Sequence, residues 1–180
     1  PSIVDLSAVF GVLLLFFIIH CYRNFSVYVP LFLGLGFLFH IIGLYNVIPY
    51  NPYYIGNLYG WPLLNYHYDL IVHSFGTGFL AAAFSSIFYS PLKKGLHSKL
   101  LILLMLLFFM LGLGAFNEIN EYVGFDVFGY GESFLEFGNG DSSPVGGPWE
   151  NASLDLIANL VGSLIGISAF LVFMHIKEKS

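Results

Sequence analysis

Three short stretches of this chain carry ionisable residues at spacings that can do chemistry. In NYHYDLIVHSFGTG, Asp69 and His73 are four apart, so on a helix they share one face. In FNEINEY, Glu118 and Glu121 are three apart, flanked by Asn117 and Asn120. In ENASLDLIANLVG, Asn151, Asp155 and Asn159 recur at intervals of four. Carboxylates and imidazoles projecting from facing helices are the donor set of di-iron and di-manganese bundles. They suit a hard or borderline divalent ion such as Mg²⁺, Mn²⁺, Fe²⁺ or Zn²⁺. The candidate metal ligands are Asp69, His73, Glu118, Glu121 and Asp155, with His67, Asn151 and Asn159 in secondary positions. A bound ion could activate water, polarise a phosphoryl or carbonyl group, or brace three helices. Taken singly, each residue also has a plainer reading. Asp69 and Asp155 could complement helix dipoles, the two glutamates could be wet, and Asn159 could bond a neighbouring helix.

The elements that must position these residues are apolar. The chain is 57% hydrophobic and 9% charged, whereas a water-facing domain carries about 25% charged residues. Six Lys and Arg cannot coat a soluble globule of this size, but a surface that meets lipid needs no such coat. Five apolar stretches read as long enough to cross a hydrocarbon core of about 30 Å, which takes roughly 20 helical residues. The expectation is an all-α, polytopic transmembrane helix bundle forming a single domain over residues 1–180. Its five spanning helices are expected at about 3–21, 27–45, 68–89, 100–123 and 153–175. The first stretch lacks a basic leader and a small-residue cleavage site, so it reads as a retained helix. Gly76, Gly78, Gly162 and Gly166 should let neighbouring helices approach closely.

With five spans, Arg23, Lys93, Lys94, Lys99, Lys177 and Lys179 all fall on one side. By the positive-inside rule that side is cytoplasmic, which places the N-terminus outside and the C-terminus in the cytoplasm. Of eleven acids only Glu178 joins the cations there. The three polar groups then lie at similar depth near the outer surface. An ionisable residue within a span costs at least about 2.5–3.5 kcal/mol, which makes it a functional candidate.

The outer segment from Pro49 to Tyr68 is rich in Tyr, Trp, Pro and Asn and reads as an interfacial aromatic belt or a pocket rim. Residues 124–150, rich in Gly and acids, read as an ordered outer lid. His20, His40, His97 and His175 lie elsewhere and read as structural. The lone Cys21 allows no intrachain disulfide, and the net charge of -5 argues against a nucleic-acid partner.

At these motifs the chain resembles the small inner-membrane proteins typified by YjdF, and more distantly the VanZ-like proteins. The shared pattern is Tyr68-Asp69 with His73, the Glu118/Glu121 pair, and Asp155-Leu156 with Asn159 and Gly162, over about residues 66–166. Asn151 stands where YjdF-like sequences tend to carry an acid. The resemblance implies a multi-pass protein of a prokaryotic inner or plasma membrane with a polar core, and it brings no reaction. Two functions follow from the residues. One is a membrane-lipid-facing site, metal-bound, acting on a lipid or lipid-linked compound. The other is a non-catalytic subunit of a larger membrane complex, its polar cluster serving helix packing. A transporter fits less well, because the acids gather at one face and no inverted repeat is evident.

Overall fold

The computed structural model describes residues 3–44, 68–94, 99–123 and 147–180, and these are helical with short caps and turns. In chain order the helices are α1 (Ile3–Arg23), α2 (Tyr28–Leu44), α3 (Tyr68–Lys93), α4 (Lys99–Val123) and α5 (Gly147–Lys179). His67, His97, most of the expected aromatic belt, lid residues 124–146 and the side chain of Asn151 lie outside the described residues. α5 starts at Gly147, earlier than the expected start near Ser153. Pro148 at the first turn explains this, since its fixed φ suits a helix start and its missing N–H costs nothing there. Residues 147–150 therefore belong to the helix and not to a lid.

Three helical stretches are long and apolar enough to cross a membrane: Tyr68–Ser90, Lys99–Val123 and Ala152–Lys179. The apolar parts of α1 and α2, Phe10–Arg23 and Tyr28–Gly43, are shorter.

Burial along α5 shows how the bundle is built. Its buried residues are Asp155, Ala158, Asn159, Gly162, Ser163, Gly166, Ile167 and Phe170, a single stripe at helical period. Most of that stripe is small or polar. The opposite side, with Leu154, Leu156, Ile157, Val161, Leu164 and Ile165, is exposed and apolar. A helix in water would reverse this arrangement. In lipid, apolar side chains face outward and small residues bring backbones together.

α3 is the central element and packs most extensively on α5 and α2, while α4 leans on α5 and α3. A side-chain carbon at Gly162 would collide with the Ser74 carbonyl, and one at Gly166 with the Gly78 carbonyl. Between α2 and α3, a carbon at Gly36 would lie 3.2 Å from the Gly76 carbonyl oxygen. The glycines expected to permit close approach therefore sit at these crossings. Beneath them, Ala81, Leu106, Met110 and Ile167 close the junction of α3, α4 and α5. Val29, Leu33 and Ala83, with Phe16 beside them, fill the α2–α3 side.

α3 and α5 run parallel, with Gly162 against Ser74 and Gly166 against Gly78, while α2 runs antiparallel to α3 and α4 antiparallel to α5, and each end of the bundle has its own chemistry. At one end Lys93 Nζ donates to Glu178 Oε1 at 2.7 Å, and Lys177 Nζ donates to Tyr28 Oη at 2.6 Å. The bond to Glu178 holds the exposed Lys93 ammonium above its ordinary pKa. The turn between α1 and α2 lies at this end as well. Asn24 closes α1 with φ 48°, a left-handed conformation asparagine tolerates, and Ser26 meets Ser86 hydroxyl to hydroxyl at 2.6 Å. The start of α3 lies at the opposite end, where Tyr68 Oη donates to the Phe39 carbonyl of α2 at 2.8 Å.

Candidate metal centre

The first turns of α3, the third and fourth turns of α5 and the last turns of α4 meet at the end away from the lysines. Asp69 and His73 come from the same face of α3, as their spacing requires, and His73 Nε2 lies 3.4 Å from Asp69 Oδ1. The crossing of α3 and α5 at Gly162 sets the next partner. Asn159, one turn before that glycine, places Oδ1 3.2 Å from His73 Nδ1. Thr77, one turn after His73, donates its hydroxyl to the His73 carbonyl and reaches the Asn159 carbonyl at 3.5 Å. From α4, Glu118 Oε1 approaches His73 Nδ1 at 3.9 Å. Asn117 Nδ2 donates to Glu121 Oε1 at 2.5 Å. Gly114 of α4 makes room for Asn159: a side-chain carbon there would lie 2.7 Å from Asn159 Nδ2.

His73 is the hub. Asp69, His73 and Asp155 each offer a ligand atom, all within 4.8 Å of one another, and so do His73, Glu118 and Glu121. Asp155 is fully buried, and Asp69 and Asn159 are nearly so. Glu118 and Glu121 are partly covered. Of the eight residues singled out from the sequence, six are thus brought together: the five ionisable ones and Asn159. His67 and the Asn151 side chain fall outside the described residues.

The imidazole has acceptor oxygens at both nitrogens. A neutral ring carries one N–H, and Asn159 Oδ1 is its natural acceptor at Nδ1. That choice leaves the Nε2 lone pair facing Asp69. A histidine ligand to a metal is held in the same way, with its other N–H donated to a fixed acceptor that sets tautomer and ring orientation. Two ligand atoms each about 2.1 Å from one ion stand about 3.0–3.4 Å apart, and Nε2 and Asp69 Oδ1 match the upper value. The chemistry of the donors, and the spacing of this one pair, fit a divalent ion.

Two further residues were not read from the sequence as part of this region. His40 of α2 lines the same cavity as Asp69, His73 and Glu121. Its signal was available, as a lone ionisable residue within the apolar run FLFHIIG. Thr77 could have been found from its position four after His73.

Fold and site together define a class: a membrane protein of apolar helices whose buried polar cluster lies near one end of the bundle. Within that class, the chain belongs to the DUF2238 family of predicted membrane proteins, whose pattern it matches over residues 2–177. The match includes α1 and α2, which the motifs of residues 66–166 left aside. Among curated proteins and solved structures, none matches the chain.

Proposed function

We propose that this protein is a five-span, YjdF-like membrane protein of the prokaryotic cell membrane. In this reading it binds one divalent cation near its outer surface and uses that site on a lipid or lipid-linked compound. The observation that carries the reading is the Asp69, His73 and Asp155 group, three donors within 4.8 Å of each other and almost sealed from solvent. Ionised carboxylates at such depth are costly unless a cation compensates them, and crowded acids repel one another. Asp69, His73 Nε2 and Asp155 serve as ligands. Glu118, on the Nδ1 side of the ring, and Glu121, both less buried, complete the shell or move protons, with Asn117 orienting Glu121. A cation held there would polarise a phosphoryl or carbonyl oxygen or activate a water.

The orientation is part of the proposal. α1 has 21 residues and α2 has 17, about 31 Å and 26 Å of helix, so both can cross with modest adjustment of the bilayer. The Lys93–Glu178 and Lys177–Tyr28 contacts gather cations at one end, which is the cytoplasmic end.

Elemental analysis of the purified protein tests the reading. About one divalent ion per chain is expected in the wild type, with Asp155→Ala and Glu121→Ala depleted. A wild type without stoichiometric metal, indistinguishable from both variants, refutes it. That outcome would favour a packing role for the cluster, as in a non-catalytic subunit of a larger membrane complex, because the buried polar stripe of α5 serves helix association equally well.

A further inference from the structure

A cavity of about 430 Å³ runs from the polar cluster into the middle of the bundle. At its polar end are Asp69, His73, Asn117, Glu121 and Asn159, and its remaining wall is almost entirely apolar, with Phe16, Leu33, Phe84, Phe109 and Leu113 among the lining residues. On α3 the lining extends from Asp69 to Phe84, which is about 22 Å of helix against a hydrocarbon core of about 30 Å. At about 30 Å³ for each water-sized unit, the space takes on the order of a dozen such units. An apolar cavity of this kind is not a water site, since water there would lack the two to four polar partners it needs.

The side of the cavity between α1 and α4 opens to the outside of the bundle. Val12 of α1 and Phe109 of α4 both line it, yet they are 40% and 46% exposed. α1 joins the bundle mainly through α2 and an edge contact of Phe16 with Phe84 at 6.4 Å between ring centroids. At the polar end, Asn159 is buried and lines the cavity, and its Nδ2 has no hydrogen-bond partner among the described residues. An amide donor so placed suits an incoming carbonyl, carboxylate or phosphate oxygen.

We propose that this cavity seats one long aliphatic chain, admitted from the bilayer between α1 and α4, with an oxygen-rich head at the polar cluster. The volume of about 430 Å³ suits a single chain, from a fatty acid or from one tail of a two-chain phospholipid. The second tail of the latter would remain in the bilayer through the α1–α4 opening. The inference rests on the proposed function only in treating the cluster as the place where the head reacts.

Photolabelling tests it with two probes, a C16 fatty acid and a phosphatidylglycerol, each carrying a diazirine near the methyl end of one chain. The probes are added to the purified full chain in lipid nanodiscs. Labels are expected on Val12, Phe84 and Phe109, falling at least tenfold in Leu113→Trp, which fills the cavity. Val12→Trp, on the exposed rim, gives the same fall and guards against misfolding of the first variant. Labelling by the fatty acid alone assigns a one-chain ligand, and labelling by both probes assigns the tail of a phospholipid. Labels confined to outward residues such as Met105 and Phe108, or unchanged in both variants, overturn the proposal. Metal content of the same samples separates the two readings: chamber labels without metal keep the chain seat and remove the cation, and metal without chamber labels does the reverse.

Discussion

His73 is where the chemistry of the site is decided, because both of its ring nitrogens face oxygen. Asn159 Oδ1 stands 3.2 Å from Nδ1, where it accepts the N–H of the tautomer that leaves Nε2 free for a cation, and loss of Asn159 should therefore act through the imidazole. Asn159→Ala is expected to weaken cation binding by about 10–100-fold, as loss of an outer partner of a ligating histidine does. Competition against a chelator of known affinity measures this. Unchanged affinity would remove Asn159 from the account. Much of this level could be read in the sequence. The four-residue spacing of Asp69 and His73 and the three-residue spacing of Glu118 and Glu121 fix their sharing of a face before any tertiary contact forms. The bond from His73 to Asn159 could not be read, since it depends on which turn of α5 faces which turn of α3. That register is set by backbone contacts at glycines, which leave no periodic signature. His40 was passed over for a similar reason: a single histidine on an apolar helix says nothing of which cavity it will line.

Among the elements, the α3–α5 pair holds the site together, and it does so by lacking side chains. Gly162 and Gly166 lie against carbonyl groups of α3, so even a methyl group must push the helices apart. Gly162→Ala and Gly166→Ala are each expected to cost about 1–3 kcal/mol and to reduce bound metal, because separation of the helices withdraws Asp155 from His73. Gly112 has open space beside it, and Gly112→Ala should be neutral or stabilise by about 0.5–1 kcal/mol through helix propensity alone. Thermal unfolding in detergent compares the three, and equal shifts would contradict the packing described. The sequence announced these glycines as close-approach positions. It did not announce the early start of α5, since Gly147-Pro148 reads equally as a loop when the helical pattern begins only at Ser153. The local physics of proline at a first turn resolved that ambiguity in favour of helix.

At the scale of the whole molecule, cations collect at one end and the polar cluster lies at the other, and this asymmetry implies an orientation. Cys21 reports on it without engineering, being exposed, near the end of α1 and the single cysteine of the chain. A membrane-impermeant maleimide should label Cys21 in inverted vesicles and leave it unlabelled in intact cells. Labelling from outside would reverse the topology and place the polar cluster on the cytoplasmic side. Membrane character was legible from composition, and the five helices of the described residues from hydropathy, because both are sums over many residues. The cavity was not legible, since its walls come from all five helices and a void arises only from how they pack. The central claim is that Asp69, His73 and Asp155 hold one divalent ion in common. Anomalous diffraction from crystals grown with Mn²⁺ tests it most directly. A single strong peak within coordination distance of His73 Nε2 and both aspartates is predicted, and its absence, or a peak elsewhere on the chain, would contradict the account.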